Sequence, residues 1–305
     1  MEGMAQRSWY PAGVVDARLV LAPHGRGRGD PAFRVTGDGA VWRTCRSPEG
    51  PGTLRVMARP GAAVVEASAW GPGAQWLLDT VPALLGGDDD PQDFEPVHQA
   101  LHRAVTRLPG LRIGRTQRVF EALVPAVLEQ KVTGLEARRA WRALLRWYGE
   151  PAPGPAPEGM RVMPVPEVWK RIPSWEWHRA GVEAKRARVV TAAAHAATRL
   201  EETLGLPPSE VRRRLCSLPG IGAWTAAEVM QRAHGDADAV SVGDYHLPGI
   251  VGWALTGKLA DDGRMLELLA PYAGHRHRAA RLIELCGPHP PRRGPRTAPR
   301  DFRFV

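Results

Sequence analysis

Cysteine is scarce in this chain of 305 residues, with Cys45, Cys216 and Cys286 as the three present. Cysteines so few and so far apart exclude a disulfide framework and a four-cysteine metal or cluster site. The histidines show no spacing typical of a metal site either. We therefore expect no cofactor and no obligatory metal.

Long hydrophobic runs are also missing. No stretch approaches the roughly 20 consecutive apolar residues that a membrane helix needs. The first 20 residues have no apolar core and carry Glu2, Arg7, Asp16 and Arg18. We expect neither membrane insertion nor export, and a cytoplasmic location.

Acidic residues are outnumbered, 32 against 41 lysines and arginines, so the net charge is +9. Such a chain is attracted to polyanions before any motif is considered. The signal is broad, because ribosomal and membrane-surface proteins are also basic. The length suffices for two domains.

The first third of the chain has a β pattern, in which short apolar, β-branched runs are cut by turn residues. The predicted strands are 14–21, 32–35, 40–44, 53–58 and 62–67. Residues 36–39 and 59–61 have the composition of hairpin turns. A helix over 74–85 can cover one face of the resulting antiparallel sheet. The acidic loop 88–93 marks the expected domain boundary.

Beyond residue 94 the apolar spacing becomes helical. Predicted helices or apolar stripes lie at 120–128, 137–148, 183–204, 245–255, 264–270 and 275–286. The segment 149–166 holds six prolines and is expected to be an exposed loop within the helical region. The fold class is therefore α+β, with an α/β domain over 1–92, an all-helical domain over 93–286 and a disordered basic tail over 287–305.

Residues 215–225, Leu-Cys-Ser-Leu-Pro-Gly-Ile-Gly-Ala-Trp-Thr, predict a tight turn between two short helices. Gly220 and Gly222 permit the backbone angles of a hairpin, and the second helix should run from residue 223 to about 233 and end at Gly235. Outward backbone N–H groups at such a helix start suit a phosphate. A plain helix-helix connector is the alternative.

The run Leu-Pro-Gly-Ile-Gly-x-Trp-Thr-Ala at 218–226, followed by Asp244 and Tyr245, resembles the helix-hairpin-helix superfamily of DNA glycosylases. Its pattern looks most like that of bacterial 3-methyladenine DNA glycosylase II. The resemblance implies double-stranded DNA as partner, contacted through the hairpin residues Gly220, Ile221, Gly222 and Thr225. It also implies a candidate monovalent-cation site at the backbone carbonyls of Leu218 and Ile221. Three cysteines cannot build the iron-sulfur cluster of some relatives.

Asp244 is the catalytic residue that the resemblance implies. Its position before a helix also fits a simple N-cap, and both roles are compatible because a helix N-terminus favours an ionised carboxylate. Hydrolysis of an N-glycosidic bond needs such a group. A carboxylate stabilises positive charge developing on the sugar and can orient or deprotonate the attacking water.

Trp224 occupies the position at which bifunctional relatives have a nucleophilic lysine, so base excision without strand cleavage is expected. The predicted substrate pocket contains Trp224, Glu228, Tyr245 and Arg281. Glu228 is either a solvated charge, a partner for a cationic purine or a hydrogen-bonding group for a neutral base. Near Arg281 the base-stacking tryptophan of the resembled enzyme has no counterpart.

The segment 127–134 resembles the part of the family that fills the gap left by a flipped nucleotide. Either Gln130 fills the gap while Lys131 contacts phosphate, or the segment is an exposed helix end. Lys185 and Arg186 are further candidates for phosphate contacts, against the alternative of a solvated face.

The sequence thus predicts a monomeric, nucleoid-associated, monofunctional DNA glycosylase that removes a damaged purine, alkylated by resemblance, and starts base excision repair. The alternatives are a non-catalytic binder of damaged or distorted DNA and a glycosylase for deaminated or oxidised bases. A binder would need the hairpin but not Asp244.

Overall fold

A computed structural model describes residues 5–58 and 63–291 of the chain. Five antiparallel strands form an N-terminal sheet in the order β1-β5-β4-β3-β2. They are β1 (Ala5–Trp9), β2 (Phe33–Val35), β3 (Val41–Ser47), β4 (Gly50–Ala58) and β5 (Val65–Trp70). The hairpin predicted at 36–39 joins β2 to β3, whereas residues 59–61 lie outside the described part.

Three short helices cover one face of this sheet: α1 (Ala17–Leu21), α2 (Ala74–Asp79) and α3 (Val81–Leu84). The strand predicted at 14–21 was wrong, because residues 17–21 form α1, which is followed by the 3-10 turn Ala22–His24. The Asp16 carboxylate accepts from the Leu19 N–H at 2.9 Å and so begins the helix. The first strand is instead β1, which has an alternating burial pattern and pairs antiparallel with β5.

Twelve further helices build the rest of the described chain. They are α4 (Gln99–Arg107), α5 (Val119–Leu128), α6 (Gly134–Tyr148), α7 (Pro166–Arg171), α8 (Ser174–Arg179), α9 (Ala184–His195), α10 (Ala197–Glu201), α11 (Pro208–Cys216), α12 (Ala223–Val229), α13 (Leu247–Thr256), α14 (Asp262–Leu269) and α15 (Arg276–Cys286). The helix predicted over 183–204 is split at Ala196 into α9 and α10. Together with the sheet, these helices establish the α+β fold.

The helices pack around two apolar clusters. One cluster holds residues of α5 to α12, and every residue of α5 except Glu121 is buried. The other joins α4 to α13, α14 and α15. The cavity described below lies where these two lobes meet the α1 segment.

The proline-rich segment 149–166 is the exposed loop that its composition predicted only over residues 152–159. It contains a two-stranded ribbon, β6 (Glu150–Pro151) and β7 (Arg161–Val162), that packs on the N-terminal sheet. Met160 and Val162 are buried, and Met160 joins the stacked Trp42 and Trp70. Burial of these apolar side chains outweighs the local preference of the prolines for open loop.

In the described ranges no helix has both the length and the apolar character needed to cross a bilayer. The basic tail predicted from residue 287 lies outside the described residues from position 292 onward.

Candidate active site

The hairpin between α11 and α12 has the geometry that its glycines predict. Gly220 has a left-handed φ of +88°, and a Cβ added there would lie 2.3 Å from a methyl carbon of Val189 on α9. The buried Ile221 closes the turn by donating its N–H to the Leu218 carbonyl at 3.1 Å. Gly222 precedes α12 with open space around it. The cation site at the Leu218 and Ile221 carbonyls stays a prediction.

The second helix of the hairpin ends where the sequence predicted. After Val229 it widens into a π-helical turn over Met230–His234, and Gly235 ends it with φ +70°. Such π turns are frequent at functional sites. Arg232 belongs to this turn and faces the cavity.

Gln130 connects the hairpin to the turn between α5 and α6. Its amide Nε2 donates to the Gly220 carbonyl at 3.0 Å and to the Thr225 hydroxyl at 2.9 Å. The neighbouring Lys131 is exposed and has a positive φ of 53°. The structure therefore brings these two predicted DNA-binding segments together, with Gln130 bound to the protein and Lys131 facing solvent.

Asp244 is held at both of its carboxylate oxygens. Oδ1 accepts from the backbone N–H groups of His246 at 2.8 Å and Leu247 at 2.9 Å, at the start of α13. Oδ2 accepts from the indole N–H of Trp224 at 3.1 Å. The carboxylate is thus both a helix cap and part of the cavity wall.

A cavity of about 290 Å³ opens beside Asp244. Five parts of the chain form most of its walls. They are α1 together with the turn that follows it, the segment 111–114, α12 together with its π turn, the segment 240–247, and α15. Trp224, Glu228 and Arg281, three of the four residues predicted to form a substrate pocket, line this cavity. Tyr245 does not, because its ring is 89% exposed and lies edge-on to His246. Placing Tyr245 in the pocket was wrong.

Glu228 is fully engaged inside this cavity wall. Its Oε2 lies 2.8 Å from an Arg232 nitrogen, and its Oε1 accepts from the Ser241 hydroxyl at 2.6 Å. The side chain is 12% exposed. Glu228 is therefore not a solvated charge, and its negative charge is matched by Arg232 rather than left for a ligand.

α15 contributes a polar stripe at helical spacing: His277, Arg281 and Glu284 all line the cavity. Burial, with the charges of Arg232, Arg281 and Arg278, lowers the pKa of His277 to about 3, so the ring is neutral. Burial raises the pKa of Glu284 against the opposing effect of Arg281. Neither His277, which the sequence offered as a candidate for phosphate contact, nor Glu284 was predicted to line a pocket, although their spacing from Arg281 is visible in the sequence.

Of the two basic residues proposed on α9, one points inward. Lys185 is exposed, whereas Arg186 is buried at 4% exposure and donates to the Leu128 carbonyl at 2.7 Å. The run Lys185–Arg188 enters an amphipathic helix, and Arg186 falls on its inner face. The prediction that Arg186 contacts phosphate was therefore wrong. Within the described residues, no cluster of three or more His, Cys, Asp or Glu side chains is arranged to bind a metal.

Comparison with known proteins gives a consistent result. No protein-family model matches the sequence. A probable bifunctional transcriptional activator/DNA repair enzyme AlkA of Mycobacterium tuberculosis is 28% identical over 263 residues, which cover 77% of this chain and 50% of that protein. The chain thus spans about half the length of the curated relatives it matches.

Solved structures match over nearly the whole chain. A 3-methyladenine DNA glycosylase from Archaeoglobus fulgidus superimposes with a TM-score of 0.74 at 16% identity, covering 91% of this chain and 97% of that one. An 8-oxoguanine glycosylase/lyase from Clostridium acetobutylicum gives 0.70 at 11% identity, with 94% and 99% covered. The chain therefore has the fold of the helix-hairpin-helix DNA glycosylases, and its sequence is similar to that of AlkA.

Proposed function

We propose that this protein is a monofunctional DNA glycosylase that flips a damaged purine into the 290 Å³ cavity and hydrolyses its N-glycosidic bond. The observation that carries the proposal is the position of Asp244. Its carboxylate lies in the cavity wall and is fixed by the Trp224 indole and two backbone N–H groups. A fixed carboxylate beside a cavity of base-accommodating size is what the reaction requires.

The chemistry follows from that geometry. As the bond between the sugar C1′ and the base nitrogen breaks, its electron pair leaves with the base and positive charge develops on the sugar. Asp244 stabilises this charge without reorganising, because both oxygens are already oriented. Water then attacks C1′ and transfers a proton to the carboxylate.

Trp224 supports the monofunctional assignment. The position from which a lysine amine would attack the sugar carries an indole that is hydrogen-bonded to Asp244. An indole cannot form a Schiff base with the sugar, so no strand cleavage should accompany base release.

The hairpin supplies the DNA-binding surface of this proposal. Gly222 leaves the first N–H groups of α12 uncovered, which suits a backbone phosphate. Lys131 and Lys185 are exposed and add positive charge. Since Gln130 is already hydrogen-bonded to Gly220 and Thr225, we assign it to holding the hairpin and assign the contact with DNA to Lys131.

Alkylated purines are the first candidate substrates, by similarity to proteins named as 3-methyladenine DNA glycosylase and AlkA. Deaminated or oxidised purines are the second. The polar stripe of α15 favours them, because hydrogen-bonding groups read a neutral base edge better than they bind an alkyl group.

The test is single-turnover excision from duplexes that carry 3-methyladenine, 7-methylguanine, 1,N6-ethenoadenine, hypoxanthine or uracil. The wild type should release at least one base, with no strand break before alkali. Asp244→Asn keeps a cap for α13 but removes the charge, so release should fall by about 100-fold or more with duplex binding retained. Asp79→Asn, at an exposed site on α2, is the matched control.

Two results would refute the proposal. Release that Asp244→Asn does not slow would remove the carboxylate from the mechanism. Tight binding of lesion DNA with no base released by the wild type would instead make the protein a non-catalytic binder, in which Asp244 is only a helix cap.

A further inference from the structure

One face of helix α6 is basic and adjoins the hairpin. Arg138 is exposed and Arg142 is partly exposed, and the two share a helix face because they stand at positions i and i+4. Lys131, just before this helix, is exposed and follows Gln130, whose amide donates to the Gly220 carbonyl of the hairpin. The basic face therefore begins beside the proposed DNA contact and leads away from it along α6.

A glycine-rich loop adds a third arginine to this face. Residues 25–29 read Gly-Arg-Gly-Arg-Gly, and Arg28 is exposed. The loop lies directly on α6, since Arg142 donates to the Arg28 carbonyl at 2.9 Å. At Gly27, where φ is +80°, an added Cβ would lie 3.1 Å from the Cδ of Arg138. Arg28, Arg138 and Arg142 are thus held together, and we call them the arginine surface.

The arginine surface carries charge that the protein does not neutralise. Among residues 5–58 and 63–291, no carboxylate forms an ion pair with any of its three guanidinium groups. The other arginine of the loop, Arg26, points inward and pairs with Glu129 at 3.0 Å. On α11, in contrast, Arg213 and Arg214 both pair with Glu210, so that charge run is partly neutralised within its own helix. Like charges that are held together without a carboxylate attract a polyanion.

Duplex DNA is the polyanion that this position favours. The arginine surface is continuous with Lys131 and with the hairpin, so a duplex bound at the hairpin can extend along it. Arg142 lies about 12 Å along the helix axis from Gly134. This length corresponds to about three to four base pairs at a rise of about 3.4 Å each. Guanidinium groups bind phosphate oxygens through two parallel hydrogen bonds.

Resting on the proposed hairpin contact for its register, we propose that the arginine surface binds backbone phosphates of the duplex on one side of the lesion, about three to four base pairs away. The contact reads no sequence, because phosphates are alike at every step. It strengthens binding and orients the duplex over the cavity without touching the flipped base.

The first experiment measures how salt weakens binding of an undamaged duplex of about 20 base pairs, by fluorescence anisotropy. In the double variant Arg138→Gln with Arg142→Gln, two phosphate contacts are lost, so the slope of log K against log salt should fall by about 1.8. The variant Arg138→Lys with Arg142→Lys keeps both charges and should keep the slope of the wild type.

The matched control makes the same change of charge elsewhere. Arg103→Gln with Arg107→Gln removes two exposed arginines from α4, which belongs to the other lobe. Its slope should stay within about 0.5 of the wild type, because long-range attraction contributes little at salt concentrations that screen it.

A second experiment tests the one-sided position of the contact. A tetrahydrofuran abasic-site analogue is placed about two base pairs from one end of the duplex or from the other, so that one flank is too short to reach the arginine surface. With the analogue near one end, wild type and the glutamine double variant should bind equally. With the analogue near the other end, the variant should remain the weaker binder.

Three results would overturn the proposal. An unchanged slope in the glutamine double variant would assign the surface to another acidic partner. Equal losses in that variant and in the α4 control would reduce the effect to net charge. Equal weakening at both ends of the duplex would remove the one-sided contact. Because the salt experiment needs no chemistry, its result stands even where the wild type releases no base, which would overturn the glycosylase function alone.

Discussion

At the scale of single residues, His277 shows how the fold fixes the chemistry of the cavity. Its pKa is lowered to about 3, first by burial and then by the charges of Arg232, Arg281 and Arg278. The ring therefore stays neutral and offers one donor and one acceptor to a base edge. His24 on the facing wall has its pKa lowered in the same direction, also chiefly by burial.

The depressed pKa of His277 predicts an acid-sensitive stability. In the unfolded chain His277 becomes protonated as the pH falls below about 6.5, whereas in the folded chain it becomes protonated only near pH 3. The free energy of unfolding should therefore decrease as pH falls through this window. Between pH 7.5 and pH 5, the free energy of unfolding should decrease by up to about 2 kcal/mol more in the wild type than in His277→Gln.

Urea unfolding at the two pH values measures this difference. His195→Gln, at an exposed site on α9, is the matched control for the substitution. Identical pH dependence in wild type and His277→Gln would contradict the prediction.

The proximity of two residues was readable from the sequence where a motif contained both. Asp244 and Trp224 lie beside each other, joined by a hydrogen bond, because both belong to the hairpin pattern. The role of Glu228 was not readable, since it depends on Arg232 and Ser241, whose side chains meet it only in three dimensions. Arg186 was misassigned because a charge run does not reveal which member points inward.

At the scale of secondary-structure elements, the hairpin depends on one close approach of backbone to side chain. Gly220 has φ +88°, and an added Cβ would lie 2.3 Å from Val189. Gly220→Ala should therefore lower the free energy of unfolding by about 1–2 kcal/mol from backbone strain alone. The clash adds to this and should displace the hairpin, so duplex affinity should fall as well.

A double variant separates the two effects. Gly220→Ala with Val189→Ala removes the clash but keeps the strained φ, so it should regain affinity over Gly220→Ala. Gly222→Ala is the control for stability, because its added Cβ meets open space, and it should change unfolding by less than about 1 kcal/mol. Chemical unfolding and fluorescence anisotropy measure both quantities. Equal stability losses for the two glycines would contradict the argument.

Secondary-structure elements were predictable where one hydrophobic periodicity extended over the whole element. The last three helices lie close to their expected ranges, and the hairpin helix ends at Gly235 as predicted. The segment 14–21 was misread because its helix is only five residues long and too short to display a helical period. The ribbon within 149–166 owes its structure to the sheet on which it packs, and local composition carries no sign of that contact.

At the scale of the whole molecule, the cavity exists because distant parts of the chain meet. Residues of α1, the segment 111–114 and α15 face one another across it. Asp89 holds two of these parts together: its carboxylate pairs with Arg278 of α15, both side chains being 4% exposed, and accepts from the Ile113 N–H at 2.9 Å. No sequence pattern indicates this link, because its partners are separated by up to 189 residues.

Because of this buried ion pair, we expect substitutions of two neighbouring aspartates to differ greatly in their effect on stability. Asp89→Asn leaves the Arg278 charge buried without a partner, so the free energy of unfolding should fall by about 3–5 kcal/mol. Asp88→Asn removes an exposed pair with Arg115 and should change it by less than about 1 kcal/mol. Urea unfolding measures both. Because Arg278 also positions the cavity face of α15, base release should slow in Asp89→Asn alone, and equal effects of the two variants would contradict a role for Asp89 in joining the parts.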